Sequence, residues 1–171
     1  MGRWLRLGLL IGLLVSGWAL DMPAEAATLA SLHTYHERPG QTTVRSRLSL
    51  RDRADKAWQT ILFKRYQGEG LEGVYLRLVG FPGLVELAPQ SPIKVLTGTG
   101  LQWQAAAQLD PQTQALPSNA AQYDFQAVMA ELTGDIPLEI EVPLRGQRHA
   151  TIVVPPYVVH EWRSLMSQTA D

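Results

Sequence analysis

Residues 68–73, Gly68-Glu69-Gly70-Leu71-Glu72-Gly73, match G-x-G-x-x-G, the spacing with which glycines let a backbone approach a dinucleotide pyrophosphate. That chemistry needs a strand before the loop and a helix after it, because the helix N-terminus supplies amide donors and positive potential. Here Val74-Tyr75-Leu76-Arg77-Leu78-Val79 follows, which has the period of a strand. Glu69 and Glu72 also place two carboxylates where phosphate would have to sit. The glycines therefore predict a hairpin connection using positive φ values, and no nucleotide.

The remaining acid/base and metal candidates are thin. His33 and His36 are three apart in a strand-like segment, which sets them on opposite faces. His149 is isolated, and His160 neighbours Glu161 on a helical pattern, where adjacent positions do not face each other. A structural zinc site wants four convergent ligands, and the chain has no thiolate to offer. Glu139 and Glu141 share a strand face with Cα atoms ~6.6 Å apart, a spacing reminiscent of a glycosidase pair. They project side by side from a regular hairpin, however, so a solvated outer face is expected. There is no G-x-S-x-G and no cysteine nucleophile. No catalytic residue, cofactor or metal is assigned, and the expectation is a protein that is not an enzyme.

The pattern with the clearest chemical meaning is cationic. Arg45, Arg47 and Arg51 fall on one face of an alternating segment, and Lys64, Arg65 and Arg77 lie on the two strands after it. Like charges directly opposite each other disfavour a sheet, so Asp52, Asp55, Glu37 or acids of the second half are expected between them. In that case the cations complete internal ion pairs. The functional alternative is a docking face for an acidic protein surface or anionic membrane head groups, with arginine making planar bidentate contacts. The turn Phe81-Pro82-Gly83 is a second expected contact.

These residues need a scaffold, and the chain supplies one in alternating segments. Leu32 to Glu37 is a short entry strand stopped by Pro39-Gly40. In Thr43 to Arg51, Val44, Ser46, Leu48 and Leu50 oppose Thr43, Arg45, Arg47, Ser49 and Arg51. Ala57 to Tyr66 is apolar on both faces and reads as an inner strand, followed by Val74 to Phe81. Leu84 to Leu87, Ile93 to Thr97 and Leu101 to Ala105 read as shorter strands, and Asp110 to Asn119 as a loop. Ser118 or Asn119 is placed to cap a helix carrying Phe125, Val128, Met129 and Leu132, which Gly134 would end. Pro137 to Leu144 alternates with Leu138, Ile140, Val142 and Leu144 inward; Arg-Gly-Gln-Arg turns the chain into His149 to Val154. Pro156 opens a last helix with a Val158, Trp162, Leu165, Met166 stripe. The expected fold is α+β: a mainly antiparallel β-meander sheet, or a partly closed barrel, with two helices packed on it, the second C-terminal.

The segments "RSRLSLRD", "WQTILFKRY" and "LRLVGFPG", from Arg45 to Gly83, resemble a cyanobacterial family known as domain of unknown function 3122, and "VPPYVVHEWRSL" fits it more loosely. The resemblance implies a small exported protein of a photosynthetic bacterium, with the periplasm or thylakoid lumen as destination. It implies no activity and no catalytic residues. The N-terminal residues agree with export. Arg3 and Arg6 precede an apolar run from Leu7 to Leu20, and Ala24-Glu25-Ala26 has the form of a signal-peptidase site. Residues 1–26 are thus expected to be a cleavable signal peptide and residues 27–171 a single domain; retention of the leader would make the protein membrane-associated. Without cysteine there is no lipoprotein anchor and no disulfide. Export makes nucleic acid an improper partner.

Net charge is −1, but it is unevenly spread. From Ala27 to Arg77 nine Lys/Arg face five Asp/Glu, and from Leu78 to Asp171 four face nine. Such asymmetry can steer an oppositely charged partner. The expected role is a non-enzymatic accessory domain acting by protein contact. A small-ligand or lipid carrier and an enzyme of unknown type are the rival classes, and an apolar pocket of several hundred Å³ would mark the carrier.

Overall fold

The computed structural model describes residues 32–88, 90–108 and 115–169. The expected signal peptide lies outside the described residues.

Four long strands follow each other as an antiparallel meander: β1 (Leu32–Arg38), β2 (Gln41–Arg51), β3 (Ala57–Gln67) and β4 (Gly70–Gly80). A fifth strand, β7 (Ala120–Asp124), completes this first sheet in the order β1-β2-β3-β4-β7. The second sheet has the order β6-β5-β8-β9, from β5 (Ile93–Thr97), β6 (Gln102–Ala105), β8 (Leu138–Leu144) and β9 (Arg148–Val154). All pairings are antiparallel. Helix α1 (Gln126–Glu131) follows β7, and α2 (Pro156–Ser167) closes the chain against β2 and β3.

Alternation decides what each sheet buries. Val44, Leu50, Trp58, Leu62, Val74, Leu76, Leu78 and Tyr123 point inward from the first sheet, and Ile93, Val95, Leu138, Ile140, Val142, Ile152 and Val154 from the second. They form one cluster with Val158, Val159, Trp162 and Leu165 of α2. Each such large side chain contributes about 1.5–3 kcal/mol when fully withdrawn from water. Trp162 meets Phe125 edge-to-face at 5.9 Å between ring centroids.

Three expectations are corrected. The sheets do not close into a barrel; they meet at isolated bridges, Asp52 with Ile152 and Ala107 with Tyr123. The first contact stops after one residue because Asp52 turns the chain into β3: its carboxylate accepts the Ala54 and Lys56 amides, each at 2.9 Å, and the Trp58 indole N–H at 3.0 Å. Leu84 to Leu87 is a turn with one bridge at Leu87 rather than a strand, since the Leu84 and Val85 amides both fold back to the Phe81 carbonyl. Asn119 does not cap a helix. Its side-chain amide donates to the Gly80 carbonyl at 2.7 Å, and the Gly80 amide donates to the Asn119 carbonyl at 2.8 Å. This draws the chain alongside β4 as β7 and delays α1 to Gln126.

Candidate binding face

The outward face of the first sheet carries most of the sequence-derived site. Pairing register lays it out in cross-strand rows. One row reads His33, Arg45, Phe63, Tyr75, Asp124; the next on one side Tyr35, Thr43, Arg65, Gly73; the next on the other Arg47, Ile61, Arg77, Gln122. Arg51 stands opposite Ala57 near the end of the sheet. No arginine of this face is directly opposite another.

The cations are separated by aromatic and apolar groups more than by the acids expected from the sequence. The Arg45 guanidinium lies 3.7 Å from the Tyr35 ring centroid. Arg65 and Arg77 each lie 5.5 Å from the Phe63 centroid, and Arg65 is 5.8 Å from that of Tyr75. Phe63 and Tyr75 themselves pack at 5.4 Å. Phe63 is 5% exposed yet stands apart from the hydrophobic core, because its cover is this layer of arginine and tyrosine. A cation over an aromatic face gains about 0.5–1 kcal/mol at an exposed site and more when desolvated. Arginine here replaces a packed layer.

Acids answer part of the charge. Arg51 pairs with Asp55 at 3.0 Å, both exposed, and Arg65 is 3.9 Å from Glu72. Arg77 donates to the neutral amide oxygen of Gln122 at 2.7 and 3.2 Å. Among the described residues no carboxylate pairs with Arg45 or Arg47. Asp52 is committed to its own turn, and the Glu37 side chain lies outside the described ones.

Lys64 points the other way. It is 4% exposed on the inward face, where Nζ donates to the carbonyls of Leu165, Met166 and Gln168 at the end of α2. Its strand position, in step with Trp58 and Leu62, carries that signal in the sequence. Phe81, Pro82 and Gly83 form an exposed turn, Phe81 being 60% and Leu84 62% exposed. Carrying the β3–β4 register one residue on puts Phe81 in the row of Ala57 and Arg51, so this turn borders the cationic face. Tyr35, Thr43, Phe63 and Tyr75 belong to the face although sequence reasoning did not select them. Strand period could have placed Phe63 beside Arg65, but not opposite Arg45.

The model of the family described as protein of unknown function (DUF3122) matches residues 30–165. The chain belongs to this family. The match includes the whole face and α2 up to Leu165. Neither a curated protein nor a solved structure matches the chain.

The other candidates of this DUF3122 protein are placed as follows. Gly68 takes φ 59° in the β3–β4 hairpin, and strand β4 already begins at Gly70, so a strand and not a helix follows the glycine-rich loop. Glu139 and Glu141 lie on the outer face of the second sheet, paired with Arg53 and Lys94. His36 Nδ1 is 3.2 Å from Thr42 Oγ1, and His160 contacts Asp135 at 2.7 Å. No group of three or more metal-type ligands occurs among the described residues. A cavity of ≈ 160 Å³ sits at the Asp52 turn, lined by Arg53, Trp58, Val85, Leu144 and His149 among others.

Proposed function

We propose that this DUF3122 protein is an exported, non-enzymatic binding module of the periplasm or thylakoid lumen. It acts by docking the outer face of its first sheet against an acidic protein surface. The observation that carries the reading is the placement of Arg45, Arg47, Arg51, Arg65 and Arg77 on one face, interleaved with Tyr35, Phe63 and Tyr75, with no acid paired to Arg45 or Arg47 among the described residues. Arginine and aromatic side chains are the groups enriched at the energetic centres of protein interfaces. Arg45, Arg65 and Arg77 are already held against the Tyr35, Phe63 and Tyr75 rings, so little of their side-chain freedom remains to be lost on docking. The Phe81 turn adds an apolar rim. The cavity at the Asp52 turn, ≈ 160 Å³, is smaller than the ~300–1,000 Å³ typical of ligand sites, so it is not itself the pocket a carrier would need.

The test is affinity isolation of the tagged protein from an extract of its host, with the captured proteins identified. Capture of an acidic protein should weaken as salt rises from ~0.1 to ~1 M, which shortens the screening length from ~10 to ~3 Å. Arg45→Glu with Arg47→Glu should abolish it at a cost to folding of only about 1 kcal/mol, the lost stacking of Arg45 on Tyr35, since neither arginine pairs with an acid among the described residues. Salt-independent capture, equal for wild type and the double variant, would refute the reading.

A further inference from the structure

The floor of the face holds polar groups that the described residues leave unanswered. Thr43 is 2% exposed, and its Oγ1 has no hydrogen-bond partner there. Arg45 Nε is likewise buried and without an acceptor. An orphaned buried donor is costly, because it has given up water and gained nothing. Register brings these atoms together. Thr43 stands directly opposite Tyr35 on one side and Arg65 on the other. Arg45 lies against the Tyr35 ring at 3.7 Å, so its side chain leans from its own row toward that of Thr43. Arg65, 7% exposed, brings a second guanidinium to the same row. Two cations therefore flank one buried hydroxyl.

We infer that Thr43, Arg45 and Arg65 form a cradle for a single carboxylate, an Asp or Glu side chain of the acidic partner. The inference rests on the docking reading above and states where the partner's anchoring residue sits. Charge selects the ligand. Arg45 carries one positive charge that no carboxylate answers among the described residues, whereas Arg65 already has Glu72 at 3.9 Å. A carboxylate monoanion matches that balance, whereas a phosphate dianion would also face Glu72. Geometry agrees with charge. A carboxylate is planar and has two oxygens that together accept several donors. Arg45 can turn its Nε–Nη edge from the Tyr35 ring to one carboxylate in a side-on, two-bond contact. Tyr35 is on the edge strand and 37% exposed, so it has room to yield. The Thr43 hydroxyl then donates to the same group, and Arg65 closes it from the far side.

The probe is a hexaglutamate peptide titrated at low salt into ¹⁵N-labelled protein, with inorganic phosphate and anionic phosphatidylglycerol vesicles as parallel arms. The side-chain Nε–H resonance of Arg45 and the Kd are read together. The peptide should shift that resonance saturably. Thr43→Val should weaken Kd about tenfold, and so should Arg45→Lys, which keeps the charge but loses the planar edge. Ser49→Ala should leave Kd within about twofold, and amide spectra identify any variant that fails to fold. Suppose Arg47→Glu with Arg51→Glu weakens peptide binding while Thr43→Val and Arg45→Lys do not and the Arg45 resonance stays still. The cradle is then refuted and the docking face stands. If none of these variants alters binding, or if phosphate or vesicles bind and the peptide does not, both readings fail.

Discussion

Replacing Lys64 by Met should destabilise the protein without weakening its docking face. Lys64 Nζ reaches the Met166 carbonyl at 3.0 Å, the Leu165 carbonyl at 3.5 Å and that of Gln168 as well, while Tyr66 Oη donates to Gln168 at 3.1 Å. Leu165 also accepts the Gln168 amide, but the Met166 carbonyl is one that the helix cannot satisfy within itself, and all three oxygens sit at the negative end of its dipole. Two close bonds from a charged donor contribute ~3–6 kcal/mol together and the helix end about 1 kcal/mol, against several kcal/mol for desolvating the ammonium. The balance favours Lys64 by about 2 kcal/mol, since methionine keeps the buried stem but none of the bonds. That corresponds to a fall of roughly 6 °C in Tm for a domain of this size. Urea titration at constant m would report the loss as a lower midpoint. Hydrogen exchange should quicken first in the last turn of α2, where the cap is lost. Hexaglutamate binding by the folded fraction should be unchanged. Stability within about 0.5 kcal/mol of wild type would refute the capping argument, and a weakened Kd would put Lys64 in the docking site.

Other outcomes are as specific. Asp52→Asn should cost about 1–3 kcal/mol, because an amide retains one acceptor oxygen for the turn but turns a donor toward the Trp58 indole; Asp52→Ala, which strands all three donors, should cost more, and equal midpoints for the two would count against this. Gly80→Ala would set a Cβ 2.8 Å from Val85 Cβ, so about 1–3 kcal/mol of overpacking is expected; because alanine at 85 would keep that Cβ, only the double variant with Val85→Gly should cost less than its two single changes summed. Hydrogen bonds from His160 and then from Arg163 hold the exposed Asp135 carboxyl below its ordinary pKa. What this pair lends to stability is therefore present above the unfolded carboxyl's ~3.9 and lost as pH falls through the lower folded value; NMR titration should show His160→Ala moving Asp135 upward, and an unmoved titration would contradict the assignment. Millimolar NAD or ATP should leave Tm unchanged, a rise by ligand linkage being the contrary result.

The faces of the strands were legible in the chain because alternation is a local property of extended backbone. Val44, Leu48 and Leu50 against Arg45, Arg47 and Arg51 needed no partner strand to be sorted, and neither did Ile140 and Val142 against Glu139 and Glu141. The same period sorts Lys64 inward with Trp58 and Leu62, a signal outweighed in sequence reasoning by the neighbouring Arg65. The stripe of α2 and the exposed Phe81-Pro82-Gly83 turn were equally local. What stands opposite what was not. That Phe63 lies between Arg45 and Tyr75, that Thr43 lies between Tyr35 and Arg65, and that Ala120 to Asp124 pairs with β4 all depend on register between segments far apart in the chain. Register is settled by the sum of core packing, turn geometry and cross-strand contacts, and no single segment contains that sum. Sequence thus determined that a row of arginines faces outward. Tertiary structure decided that aromatic rings would separate them and that Lys64 would hold the last helix, because only the folded sheet brings those groups within contact distance.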